Sequence, residues 1–313
     1  MRAIRFGSAG VTLEDAAEPV PDPGRTQRVR IVSAGICGSD LGFIAQGGVP
    51  VVPGHEMAGL TDDGRPVAVQ PNAACSDCPL CASGRANLCP SSMANFSGMA
   101  GVDGGFADYV LARPEQLHEL PASLPVELGA LVEPAAVARH ALVRLAAPAG
   151  AEVLVVGAGT IGLLAAAMLT PTHSVSLATR HPHQRAAAEA LGVRAVDPDD
   201  AFAADAVLDS AGGQSSLELA IDAARPGAGI VTLGAATWQP KLTETILYKE
   251  LDLRLSLIYT GDDFRDALTF LAGRPDIAPT LVTHHFALAD AEHAFAAAGA
   301  RSGQRSIKVL MHP

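Results

Sequence analysis

VLVVGAGTIGLLAAAML, residues 153–169, decides the fold. Four apolar residues lead into Gly157-Ala158-Gly159-Thr160-Ile161-Gly162, and an apolar, helix-forming run follows. A lone GxGxxG is a weak signal. Here it follows a strand pattern, opens a helix pattern and precedes another short strand pattern, SVSLA at 174–178, which is the setting of a dinucleotide-binding turn. Gly157 permits the tight turn, Gly159 lets the backbone approach a pyrophosphate, and Gly162 lets the helix pack against the sheet. The helix N-terminus, with Thr160 and Ile161, then faces the phosphates.

The end of the second strand reports on the cofactor. An acidic residue about 20 positions beyond the turn would bind the ribose 2′-hydroxyl of NAD. The chain reads Ala178-Thr179-Arg180-His181 there, with no acid. Thr179 is neutral and Arg180 can pair with a 2′-phosphate, so NADP(H) is expected in preference to NAD(H). The competing reading of Arg180 is a solvated surface charge. Arg185 is a further cofactor-binding candidate.

Strand and helix patterns continue to alternate: DAVLDSAG a strand, SSLELAIDAA a helix, then GIVTLGA and LDLRLSLIYT as strands. This is the pattern of an α/β, doubly wound parallel sheet. The 313 residues exceed what one core usually holds, so two domains are expected. With 49% hydrophobic but only 4% aromatic residues, the core must be aliphatic. The net charge of −11 disfavours nucleic acid or an anionic membrane as partner. Residues 153–179 carry no Asp, Glu, Lys or Arg, but their glycines interrupt any membrane helix, and a buried strand, turn and helix explain the run better. The N-terminal MRAIRFGSAGVTLED has no apolar core of signal-peptide length, and a soluble cytoplasmic protein is expected.

Four of the five cysteines fall in ACSDCPLCASGRANLC, residues 74–89. Cys75, Cys78, Cys81 and Cys89 follow the spacing C-x2-C-x2-C-x7-C. Without an export signal a disulfide scaffold is disfavoured. Four thiolates can close round a tetrahedral zinc at about 2.3 Å and staple a loop that has no core, from about residue 72 to 92. A closed four-sulfur shell leaves no position for substrate, so such a zinc is structural. Two rival readings are unrelated free thiols and an iron–sulfur cluster. The cluster motif needs three residues before its last cysteine, where this loop has seven.

The fifth cysteine, Cys37, stands in GICGSD after the strand-like VRIVSAG, and His55 and Glu56 follow in GHE. Alone, each reads as an ordinary core or surface residue. Together they offer sulfur, nitrogen and oxygen to an open, catalytic zinc. Glu133 in ALVEPAAVARHA is a further candidate ligand.

Taken in order, GICGSD, GHEMAG, the four-cysteine lobe, GGFADYVLA, LVEPAAVARHA, VGAGTIG, LYKELDLR, LADAEHAF and IKVLM resemble the zinc-dependent medium-chain alcohol dehydrogenases over nearly the whole chain. The resemblance is nearest to the polyol and sugar branch of sorbitol, threonine and glucose dehydrogenases. It implies a GroES-like β-barrel catalytic domain, residues 1–134 and 261–313, with a Rossmann domain, 135–260, inserted in it. It implies two zincs per chain, the catalytic one on Cys37 and His55 with Glu56 or Glu133 completing the shell. Asp40 matches the residue that orients the zinc-bound histidine, and Ser39 the hydroxyl that takes the alcohol proton. A small alcohol, polyol or carbonyl substrate is implied, with a homodimer or homotetramer paired through the Rossmann sheets.

The chain departs from that pattern in places. Gly42 stands where relatives often carry an outer relay histidine. The segment from His55 to Cys75 is short, predicting a reduced hairpin around Asp62-Asp63-Gly64. The loop AQGGVP is expected to border a more open substrate pocket. Trp238 reads as packing. Two rival functions share the scaffold: a quinone or enone reductase, whose members generally lack the catalytic zinc ligands, and a non-enzymatic NADP(H) sensor.

Overall fold

The run Glu152–Val156 is a strand whose first residue is exposed and whose next four are buried, the mark of a strand covered on both faces. The computed structural model describes residues 1–7, 10–200, 202–233, 243–299 and 306–313; Trp238 lies outside the described residues. The chain divides into two units, Met1–Pro134 with Thr260–Pro313, and Ala135–Tyr259. None of the described helices is long and apolar enough to cross a membrane.

In the second unit six strands pair in parallel, in the spatial order Arg194–Val196, Ser174–Ala178, Glu152–Val156, Ala204–Asp209, Ala224–Thr232, Asp252–Leu255. This is the doubly wound order, in which the chain reverses direction across the sheet beside its first strand. The helix Thr160–Leu169 buries nearly every residue, including Leu163, Leu164 and Ala165, so its sequence is apolar all round. LDLRLSLIYT, expected as one long strand, pairs only over Asp252–Leu255, because its partner strand ends at Thr232 opposite Leu255. Only residues 197–203 join the third strand to the fourth, and no helix lies among those described. Parallel crossovers usually need about 10–12 residues and a helix. Here Phe202 packs on the sheet core formed by Leu154, Val196 and Val207. A cavity of about 410 Å³ remains beside it, lined by Glu152, Ser174, Ser176 and Arg194, away from the glycine turn.

The first unit is built round a seven-stranded, mainly antiparallel sheet. Gln27–Gly35 pairs with Glu56–Thr61, with Tyr109–Ala112 and with the C-terminal strand Lys308–His312, which in turn carries Val282–Ala287 in parallel. The expected short hairpin is present: Glu56–Thr61 and Pro66–Val69 are joined by four residues, with Gly64 at φ 86°. Phe6, Phe106 and Phe295 close the core, with Phe295 edge-on to the other two at 5.2 and 5.5 Å.

One contact ties the last strand to the first half of this unit. Lys308 Nζ donates to Glu56 Oε1 at 2.7 Å, to Glu56 Oε2 at 2.6 Å and to the Ile36 carbonyl at 2.9 Å. Both side chains are almost wholly buried, at 4% and 1% exposure, so neither charge has water to fall back on. Lys308→Met is therefore expected to cost about 3–5 kcal/mol of unfolding free energy in urea titration. Adding Glu56→Gln should recover much of that loss. An unchanged midpoint in the single variant would refute the pair's structural weight.

His118 supplies a pH response. Its Nε2 lies 3.0 Å from Gln70 Oε1 and its ring 4.7 Å from that of Phe264. Burial first, then Arg265, lowers its pKa to about 4. The unfolded chain takes up this proton near pH 6.5 and the folded chain does not until about pH 4. Stability is thus whole above pH 6.5 and falls as the pH drops through that window. Discounted for the part of the ring that stays wet, the loss is about 1–2 kcal/mol. His118→Gln should flatten this part of the melting-temperature profile; an unchanged slope would show that other groups set it.

Candidate active site

Cys37 ends the turn after the strand Gln27–Gly35 and caps the helix Gly38–Ala45. Its backbone N–H donates to Asp40 Oδ2 at 2.9 Å, which folds the Asp40 side chain back inside the first turn. Asp40 is fully buried, and its other oxygen stands 3.7 Å from His55 Nδ1. Neither Asp40 Oδ1 nor His55 Nδ1 has a hydrogen-bond partner at that distance. The opposite edge of the imidazole faces Ser39, with Nε2 3.3 Å from Oγ. The Cys37 thiol is within hydrogen-bonding reach of the same ring. Phe96, fully buried, meets the ring edge-on at 6.0 Å.

The charges here are strongly coupled. Burial pushes the Asp40 carboxyl up to about 6, against the pull of His55. Burial also opposes a charge on His55, but Asp40 and Cys37 outweigh it and hold the imidazole well above its ordinary value. Glu56 and Glu133 are both buried. Glu56 gives both oxygens to Lys308, and its carboxylate lies so close to Gly35 that a Cβ there would sit 2.0 Å from Oε2. Glu133 is in the first turn of the helix Val132–Leu145, near enough to act electrostatically on both His55 and Lys308. A half-buried thiol against a buried imidazole, with carboxylates close by, is a donor set that fits zinc. These groups are gathered rather than closed round one point: among the described residues, only the four lobe sulfurs form a group of three or more candidate ligands within 4.8 Å of one another.

In the lobe, Sγ of Cys75 lies 3.9 Å from that of Cys81 and 3.5 Å from that of Cys89, and Cys78 and Cys81 are 3.5 Å apart. Four sulfurs at about 2.3 Å from a tetrahedral zinc stand about 3.8 Å apart. The cage therefore already has the size of the ion. A hydrogen bond with Asp77 is the main cause that pushes the Cys75 thiol up to about 12. The main cause that brings Cys89 down to about 6 is a backbone hydrogen bond at Cys75.

The relay position is open. A Cβ on Gly42 would meet only Gln46 Nε2, at 4.0 Å. The AQGGVP loop is held against the strand Arg2–Gly7, where a Cβ on Gly48 would fall 2.2 Å from the Phe6 carbonyl oxygen.

In the second unit the glycines do three separate jobs. Gly157 is at φ 97°, where a side chain would strain the backbone and approach Ala211. A Cβ on Gly162 would sit 1.9 Å from the Gly157 carbonyl, so helix and turn can touch only through glycine. Nothing lies within 4 Å of a Cβ on Gly159, which leaves a cradle before the helix Thr160–Leu169. Gly159 at the N-cap gives that helix no side-chain cap, and a helix N-terminus favours an anion. The cradle opens into a cavity of about 380 Å³ lined by Gly157, Gly159, Arg180, His181, Gln184 and Ser210 among others. These features fit a dinucleotide.

Arg180 is therefore on the cavity. Thr179 and Arg185 are not among its lining residues. Thr179 is buried with its hydroxyl unpartnered, and Arg185 Nη1 donates to the Ala195 carbonyl at 2.9 Å, bracing the edge strand. His181 and Gln184 were not singled out by sequence; their place just after Arg180 was the available signal. Lys308 was also missed, though a lone lysine inside the apolar IKVLM was a clue that it finds a buried partner.

Residues 24–122 match the family model of the alcohol dehydrogenase GroES-like domain. Sorbitol dehydrogenase of Halalkalibacterium halodurans is 31% identical, over 95% of this chain and 94% of its own. An Escherichia coli CFT073 alcohol dehydrogenase complexed with NADH superposes with a TM-score of 0.90 at 25% identity, covering 100% of this chain and 99% of that one. A zinc-binding dehydrogenase from Sinorhizobium meliloti 1021 bound to NADP superposes at 0.88 with 27% identity, again over 100% and 99%. With that similarity running the full length, the chain belongs to the zinc-dependent medium-chain alcohol dehydrogenases, in their polyol branch, and is a dehydrogenase.

Proposed function

We propose that this enzyme transfers hydride between a polyol-type alcohol, or its carbonyl product, and NADP(H). Cys37, His55 and Glu133 hold a catalytic zinc, and the four lobe cysteines hold a structural one. The observation that carries the reading is the meeting of the half-buried Cys37 thiol with the buried His55 imidazole, with Asp40 behind the ring and Ser39 beside it. Glu133 is preferred to Glu56 because Lys308 already holds both Glu56 oxygens.

When bound, the zinc supplies Lewis acidity toward the substrate oxygen and the nicotinamide supplies the hydride acceptor. The chain's own residues set the stage for that chemistry. Asp40 faces His55 Nδ1 and fixes which ring nitrogen is free to ligate. The Ser39 hydroxyl, beside Nε2, receives the alcohol proton. Gly42 leaves an opening through which water carries the proton onward, in place of a side-chain relay. Lys308 offsets the negative charge that a thiolate and two glutamates bring together. At the cofactor, Arg180 on the cavity wall pairs with the 2′-phosphate, which supports the NADP(H) preference.

Zinc analysis and steady-state kinetics on a polyol panel test this together. Wild type should carry two zincs and favour NADP. Cys37→Ala should lose one zinc and about 1,000-fold or more of turnover while staying folded. Cys89→Ser should lose the other zinc and melt earlier. Arg180→Ala should lower kcat/KM for NADP about tenfold and leave NAD little changed, the size of one charge-assisted hydrogen bond. Near-normal turnover in Cys37→Ala, or equal use of both cofactors by wild type, would sink the corresponding part.

We infer a homodimer or homotetramer built on the edge of the parallel sheet. Among the described residues Asp252–Leu255 is the edge strand, with no strand on its outer side, and Leu255 and Leu257 are about half exposed at 57% and 47%. Such an edge needs cover. Sedimentation velocity should give a dimer or tetramer, and Leu255→Asp with Leu257→Asp should give the monomer; a monomeric wild type would overturn the inference.

A further inference from the structure

The last two strands of the first unit carry histidines that the catalytic site does not use. In the parallel pairing of Val282–Ala287 with Lys308–His312, His285 stands opposite Leu310 and Ala287 opposite His312. His285 and His312 are thus two rungs apart on neighbouring strands. Their side chains nevertheless meet. His285 Nδ1 is 2.9 Å from His312 Nε2, and the rings stack at 5.1 Å with 19° between planes. His285 is exposed and His312 half-buried.

The geometry points to a surface site for a divalent late transition metal of the nickel or copper class, held by His285 Nδ1 and His312 Nε2. Three observations carry it. His312 Nδ1 lies 2.9 Å from the Val32 carbonyl. A carbonyl can only accept, so Nδ1 carries the proton and the Nε2 lone pair is left facing His285. This is the outer contact that fixes the tautomer of a metal-binding histidine. Next, the nitrogen separation is that of two neighbouring ligands at right angles. At a metal–nitrogen distance of about 2.05 Å a right angle gives about 2.9 Å, and a tetrahedral angle about 3.3 Å. Square-planar or octahedral ions therefore suit the pair better than zinc does. Finally, both ligands stand on paired strands, with His285 open to solvent, so water can fill the remaining positions.

Binding balances without an added reactant. The proton on His285 Nδ1 moves to Nε2 of the same ring, and Nδ1 then gives its lone pair to the metal. The site is independent of the zinc centres and of the proposed reaction.

The test is isothermal titration of the zinc-saturated full chain with nickel chloride at neutral pH, with zinc content measured before and after. One nickel per chain, at micromolar affinity and without release of zinc, is expected. His285→Gln and His312→Gln should each weaken it about tenfold or more, the first without changing the melting temperature. Because His285 is exposed, its variant keeps the test valid even if His312→Gln disturbs the strand. Wild-type affinity in His285→Gln, binding only at millimolar nickel, or nickel uptake matched by zinc loss would each overturn the proposal.

Discussion

The Lys308 ammonium is the constraint on which the catalytic unit depends. It is buried, it is charged, and every acceptor it uses lies more than 250 residues earlier in the chain. A lone ammonium in that environment is untenable, and so is a lone Glu56. The chain must therefore leave this unit at Pro134, build 125 residues of another, return at Thr260, and still lay its last strand beside Gln27–Gly35 in register. Glu56 is adjacent to His55 on the same strand entrance, so the ion pair that closes the sheet also fixes where the imidazole points. Gly35 belongs to the same arrangement, since any side chain there would displace the carboxylate.

The two candidate sites solve the problem of precise placement in opposite ways. The catalytic one is assembled from side chains that the sequence scatters: Cys37 and Asp40 from a helix start, His55 from a strand entrance, Glu133 from another helix, Lys308 from the C-terminal strand. Its rigidity comes from burial and charge pairing. The dinucleotide site is written almost entirely in backbone. Its working parts are the absence of Cβ atoms at Gly157, Gly159 and Gly162 and an uncapped helix end, all within six residues. Substitution at Asp40 perturbs a charge network, whereas substitution at Gly162 is a steric collision with the Gly157 carbonyl.

That difference explains what could be read from sequence. The parallel sheet was legible because strand, turn and helix are local patterns; SVSLA forms a strand over the expected residues. The four-cysteine cage was legible for the same reason, its ligands being confined to one loop. LDLRLSLIYT was overread, since strand length depends on a partner that ends at Thr232, and no local pattern contains that fact. The state of Glu56 was illegible for a like reason: its partner is Lys308, and nothing near GHE announces it. Arg185, a cofactor-binding candidate in sequence, reaches the Ala195 carbonyl, a contact on a neighbouring strand that no local pattern announces.

The places where this chain is short follow a physical logic. Four residues join the hairpin strands between Thr61 and Pro66, and seven, 197–203, form the crossover. Shortening a loop lowers the entropy lost on closure only slightly, so little stability is gained. What changes is coverage. With no helix among the described crossover residues, the sheet face over Ser174 and Ser176 meets solvent, and those positions carry hydroxyls where a covered strand would carry aliphatic groups. Phe202 shields the part of that face nearest the core. On this face, among the described residues, polar side chains and a single aromatic provide the cover. Buried positions whose neighbours lie far away in sequence, Glu56 and Lys308 above all, permit no such local cover, because each is held in place by a charge that nothing local could supply.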